Sequence, residues 1–125
     1  MNVRKQIDYW VRSAEEDFAA AQSLLEKGHL RHSLFFAHLA MEKMLKTHVV
    51  RQTEDLPPRI HNLVRLGDIG RLEVTSEQQI FLRRFDIYQM EGRYPDAQQI
   101  PLTPATVKEE ITKAREIIEW LKAQL

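Results

Sequence analysis

Between about residues 31 and 52, apolar side chains occupy nearly every side of a would-be helix. Leu34, Ala37, Met41, Met44, Leu45 and Val49 form one stripe, and Phe35, Phe36, Leu39 and Ala40 widen it over the first half. A helix apolar on most sides is poorly suited to a surface. It belongs in the middle of a bundle, with other helices laid around it.

The rest of the chain supplies those helices. Ile7, Trp10, Ala14, Phe18, Ala21 and Leu25 fall at three- and four-residue steps, which predicts an amphipathic helix over about 2–27, closed by Gly28 as a left-handed cap. Pro57-Pro58 breaks the chain after the central helix. A short helix follows at about 61–68, with Arg59 and His61 at its N-terminus. Thr75 and Gln78 are spaced as a capping box, opening a helix to about Glu91 whose apolar face is Ile80, Phe81, Leu82, Phe85 and Tyr88, with Gly92 as its cap. Arg93 to Leu102 reads as irregular. Thr103-Pro104 then starts a last helix to about Gln124, striped by Val107, Ile111, Ala114, Ile118 and Leu121. No segment alternates as a strand does. With 125 residues, 43% of them hydrophobic, one core needs no staple. The expectation is a single all-α domain over 1–125, an up-and-down bundle of four long helices plus one short helix.

Composition narrows function by exclusion. The absence of cysteine removes disulfides, thiolate zinc sites and cysteine nucleophiles. Eighteen basic side chains balance eighteen acidic ones, so any attraction to an anion has to be local. There is no signal-peptide pattern and no apolar run of membrane length, which points to a cytoplasmic protein with no membrane partner. Gly-rich phosphate loops, Gly-x-Ser-x-Gly and His-Glu-x-x-His are also missing.

Four groups of residues carry potential chemistry. His29, His32, His38, His48 and His61 lack the carboxylates that would complete a metal site, so none is expected. Glu42, Lys43 and Lys46 lie along the central helix, where two amines suit a phosphate and Glu42 pairs with Lys46 at four residues. Pro57-Pro58-Arg59-Ile60-His61 either presents Arg59 and His61 to an anion or forms a plain loop. Arg93-Tyr94-Pro95-Asp96 offers a guanidinium, a ring and an acceptor, which equally suit a ligand or a loop locked on the bundle by an Arg93–Asp96 pair.

Several of these stretches also form a family pattern. The run from Ser33 to Lys46, with Phe35-Phe36, Ala37, Glu42-Lys43 and Leu45-Lys46 in order, resembles the second helix of HEPN domains. Pro57, Pro58, His61 and Leu63 resemble the next segment, Arg93-Tyr94-Pro95-Asp96 the one after, and Trp10, Ala14 and Asp17 fit the first helix. The resemblance implies a dimerising helical bundle. It also implies either pairing with a minimal nucleotidyltransferase in a toxin–antitoxin system, or metal-independent RNA cleavage. The ribonuclease members carry Arg, four to six residues, then His in a late helix. No histidine follows Arg83, Arg84 or Arg93 here, because the last one is His61. The numerical match Arg31 to His38 lies on the wrong helix, and roughly one such match is expected by chance.

The function expected is therefore a dimeric HEPN module that binds a nucleotide or RNA phosphate and a nucleotidyltransferase partner, without cofactor or metal. Lys43, Lys46 and Arg93 would take phosphate, Tyr94 would stack on a base, and His61 would orient the ligand. Glu42 and Asp96 would hold the cations in place. Two alternatives stand beside it. One is a ribonuclease toxin with a nonstandard site built from His61 or His38, with Arg93 as the cation. The other is a purely structural interaction subunit.

Overall fold

The computed structural model describes residues 1–97 and 100–125. Among them there is no strand: six α-helices and one 3-10 turn account for the regular structure. They are α1 (Val3–Glu26), α2 (Leu30–Thr53), α3 (Leu63–Ile69), α4 (Ser76–Phe85), α5 (Ile87–Arg93), the turn Pro95–Ala97, and α6 (Pro104–Ala123).

The helix starts follow local chemistry. The side chains of Asn2, Asn62, Thr75 and Thr103 each accept the backbone N–H three residues on, and the Thr75–Gln78 box is closed in both directions. Asn62 takes the cap of α3, which leaves His61 just outside the helix rather than within its first turn. Gly28 turns α1 into α2 at φ +79°, as expected of a left-handed cap. Glu54 ends α2 with φ 55° before the prolines.

α2 is the central rod and packs against α1, α3, α5 and α6. Leu34, Met41, Met44, Leu45, Val49 and Val50 are buried along it, each worth about 1.5–3 kcal/mol of burial. Ala14 and Ala21 of α1 and Ala37 and Ala40 of α2 are fully buried, small enough to let the two longest helices approach closely. Ser33 Oγ donates to the Ala21 carbonyl at 2.7 Å across the same seam. The five apolar residues expected along α6 are all buried.

Several expectations change. The fourth helix is not continuous: it breaks at Asp86 into α4 and α5. The Asp86 carboxylate is taken by groups from two other elements, a tether invisible to periodicity. Gly92 does not cap the segment; it lies inside α5, where a Cβ would come within 2.5 Å of Phe35 Cδ2. The glycine is there for the Phe35 ring. Ile80 is turned outward from the core. The irregular stretch begins at Tyr94 rather than Arg93, and includes the turn Pro95–Ala97. Residues 98 and 99 of that stretch lie outside the described residues.

Two polar clasps hold the ends. Arg31 at the start of α2 donates to Glu91 of α5 at 2.5 Å and to the Ile100 carbonyl at 2.6 Å. Tyr88 of α5 donates to Glu110 of α6 at 3.0 Å; burial, and then the nearby carboxylate, push the pKa of its hydroxyl up to about 12.

Candidate functional site

His38, Glu42 and Lys46 stand four residues apart and so share one face of α2. That face meets the loop carrying His61 and the start of α3. At its centre the buried Glu42 carboxylate serves two partners. Its Oε2 accepts from Lys46 Nζ at 3.0 Å, and its Oε1 accepts from His61 Nδ1 at 3.0 Å. His38, fully inside, places Nε2 2.9 Å from Asp86 Oδ1, and the same oxygen accepts the Leu63 backbone N–H at 3.2 Å. His38 Nδ1 is 3.9 Å from Glu42 Oε1, close enough for an electrostatic interaction but too far for a hydrogen bond. Lys46 Nζ also lies 5.6 Å from the centroid of the Trp10 ring, over its face. The cluster thus draws on α1, α2, the 54–62 loop, α3 and the α4–α5 junction.

The geometry sets the chemistry of His61. A carboxylate accepts only, so Nδ1 carries the proton it donates to Glu42. In the neutral ring this leaves a lone pair on Nε2, on a side chain 45% exposed to solvent. A carboxylate-held imidazole beside an ammonium can accept a proton or orient a ligand. Lys46 has three donors and spends one on Glu42. The Trp10 Nε1–H is buried with no acceptor among the described residues.

Of the seven residues expected to form one groove, the structure brings together Glu42, Lys46 and His61. Lys43 is committed to α1 instead, where its Nζ lies 2.6 Å from Asp17 and donates to Ser13 Oγ at 2.8 Å. Three residues apart on a helix means about 60° of separation, so both amines face α1 but Lys43 takes the Asp17 carboxylate while Lys46 takes Glu42. Arg93 lies at the far end: its guanidinium is 5.3 Å from the Phe35 ring, and its Nε donates to Gln89 at 3.1 Å. Phe35 precedes Lys46 by eleven residues, about 16 Å of helix. The nonstandard pair of His61 with Arg93 is therefore not assembled. Tyr94 and Asp96 are exposed beside Arg93, and neither side chain forms a hydrogen bond or ion pair among the described residues.

Three further residues complete the site: His38, Trp10 and Asp86. The sequence marked His38 as one of five histidines and as an alternative ribonuclease histidine; the signal that places it here, its four-residue step before Glu42, played no part in that reading. Trp10 reads simply as part of the apolar stripe of α1. Asp86 carries no local signal at all. The remaining histidines are elsewhere: the His29 and His32 rings meet edge to face, and buried His48 donates from Nε2 to the Leu121 carbonyl at 2.8 Å. Burial holds the His48 pKa below its ordinary value. Among the described residues, no group of three histidine or acidic side chains is placed to hold a metal ion, and no helix is long and apolar enough to cross a membrane.

Comparison with known proteins agrees with this architecture. No curated protein matches the chain. The crystal structure of TT1696 from Thermus thermophilus superimposes over 100% of both chains with a TM-score of 0.81 at 22% sequence identity, a likeness of fold. The model of the HEPN domain matches residues 7–124. An all-helical chain matched by that model over nearly its whole length belongs to the HEPN domain family.

Proposed function

We propose that this protein is a cytoplasmic HEPN module that takes a phosphate-bearing ligand, a nucleotide or RNA, at the Glu42–Lys46–His61 cluster. We further propose that it acts beside a minimal nucleotidyltransferase in a toxin–antitoxin-type pair. One observation carries the ligand reading: a single buried carboxylate fixes an ammonium and an exposed imidazole next to each other. The two free donors of Lys46 and the outer nitrogen of His61 suit phosphate oxygens. The Trp10 ring backs the lysine.

Isothermal titration with ATP, AMP and a short RNA tests it. Lys46→Gln and His61→Gln are each expected to weaken binding about tenfold, the loss of one charge-assisted hydrogen bond. Arg93→Ala, some 16 Å along the helix, leaves affinity unchanged. No binding by wild type, or equal binding by the first two variants, rejects the ligand reading. Co-purification with a nucleotidyltransferase, or its absence, decides the pairing.

A second reading rests on the same dyad. His61 held by Glu42, with Lys46 adjacent, has the parts of a metal-independent ribonuclease: a base for the 2′-hydroxyl and a cation for the developing phosphate charge. It requires RNA cleavage in EDTA that disappears in His61→Gln. Cleavage that survives the substitution eliminates it.

A further inference from the structure

A phosphate at Lys46 and His61 leaves the rest of its ligand to be placed, and Tyr94, beside Arg93, is too far along the bundle to take a base there. Tyr9 is nearer. Its ring is 61% exposed and stands outside the buried stripe of α1. It meets the Trp10 ring edge to face, with centroids 5.5 Å apart, and the Trp10 centroid lies 5.6 Å from Lys46 Nζ. Tyr9 and Ser13 are four residues apart and share a face of α1. Ser13 accepts from Lys43, so this face flanks the side of α1 that meets the lysines of α2. The opposite flank of α1 is clasped to α6, where Lys122 donates to Glu15. An edge-to-face contact covers at most one face of the Tyr9 ring and leaves the other open to a planar group.

We propose that Tyr9 is the platform on which the base of the phosphate-bearing ligand stacks. The proposal rests on the ligand reading above and adds the group that meets the other end of the ligand. In a nucleotide the ribose separates base from phosphate; here the Trp10 ring separates Tyr9 from Lys46, so one spacer lies along the other. Stacking uses a face that every base has and needs no partner for the base edge. Lys5 and Arg12, four and three residues from Tyr9, are exposed and form no ion pair among the described residues. They lie on the far side of Tyr9 from Trp10. Cations therefore stand on both sides of the ring. The shared chemistry is a base joined to a phosphate, which a free nucleotide and a single strand of RNA both supply. A strand carries phosphate on both sides of each nucleoside and uses both sets of cations; a mononucleotide uses one.

Isothermal titration of the full chain with ribose 5-phosphate, AMP and a short oligoadenylate tests it. AMP is expected to bind about tenfold more tightly than ribose 5-phosphate, the contribution of one stacked base. Tyr9→Ala brings AMP down to the level of ribose 5-phosphate, whose own affinity is unchanged, and Tyr9→Phe keeps the tenfold advantage. Tyr9 lies outside the core, so the helical circular dichroism of both variants persists. Tyr94→Ala, at a comparably exposed ring, leaves AMP binding as it was. Oligoadenylate tighter than AMP, with the excess lost in Arg12→Gln, assigns the base to a strand; equal affinities assign it to a free nucleotide. AMP no tighter than ribose 5-phosphate, or an advantage that survives Tyr9→Ala, overturns the platform. Ribose 5-phosphate binding that Lys46→Gln weakens keeps the phosphate site even then. Binding of none of the three overturns both.

Discussion

Glu42 and Gly92 mark two extremes of what single residues reveal. Glu42 sits at helical spacing from both His38 and Lys46, so its central place on the polar face of α2 was readable. That His61 would be its other partner needed the fold, because nineteen residues of chain separate them. Gly92 misleads, because a glycine after a helical pattern usually marks a cap. Its purpose is to leave room for Phe35. Helix propensity alone says that Gly92→Ala should stabilise α5 by about 1 kcal/mol. The contact with Phe35 says the opposite, and overpacking of this kind typically costs about 1–3 kcal/mol. The expected result is a lower melting temperature, measured by calorimetry. A rise would mean that the ring moves aside freely.

At the scale of elements, helix existence and type were legible wherever an apolar stripe met a clear cap, as in α1, α2 and α6. The α4–α5 break was not, because its cause is tertiary. Asp86 spends its carboxylate on the Leu63 N–H and the His38 ring, so the start of α3 is fixed from outside. Asp86→Ala leaves both donors without their acceptor, at a cost of about 1–3 kcal/mol. Hydrogen exchange at the Leu63 amide should accelerate more in this variant than amides in the middle of α1. Uniform acceleration along the chain would instead point to a global loss of stability.

The whole molecule is pinned where α2 and α6 end together. His48 bonds to the Leu121 carbonyl, and Arg51 donates to the Gln124 carbonyl at 2.5 Å. Burial lowers the His48 pKa from 6.5, so below that value the unfolded chain binds more protons at this site than the folded one. This histidine's contribution to stability is complete above pH 6.5 and is lost as the pH falls through 6.5 toward the lower folded value. Urea midpoints should drop between about pH 7.5 and 5.5, and His48→Gln should shrink the drop. A drop of unchanged size in the variant would exclude His48 as a source. The bundle could be read from its stripes because burial follows periodicity. The cluster could be read only in part, because Trp10, His61 and Asp86 reach α2 from separate parts of the chain.

Lys46 and His61 lean on opposite oxygens of one side chain. They therefore cannot be tuned separately: any change that draws Glu42 toward the amine loosens the imidazole. Selection acting on either partner has to act on the three as a unit.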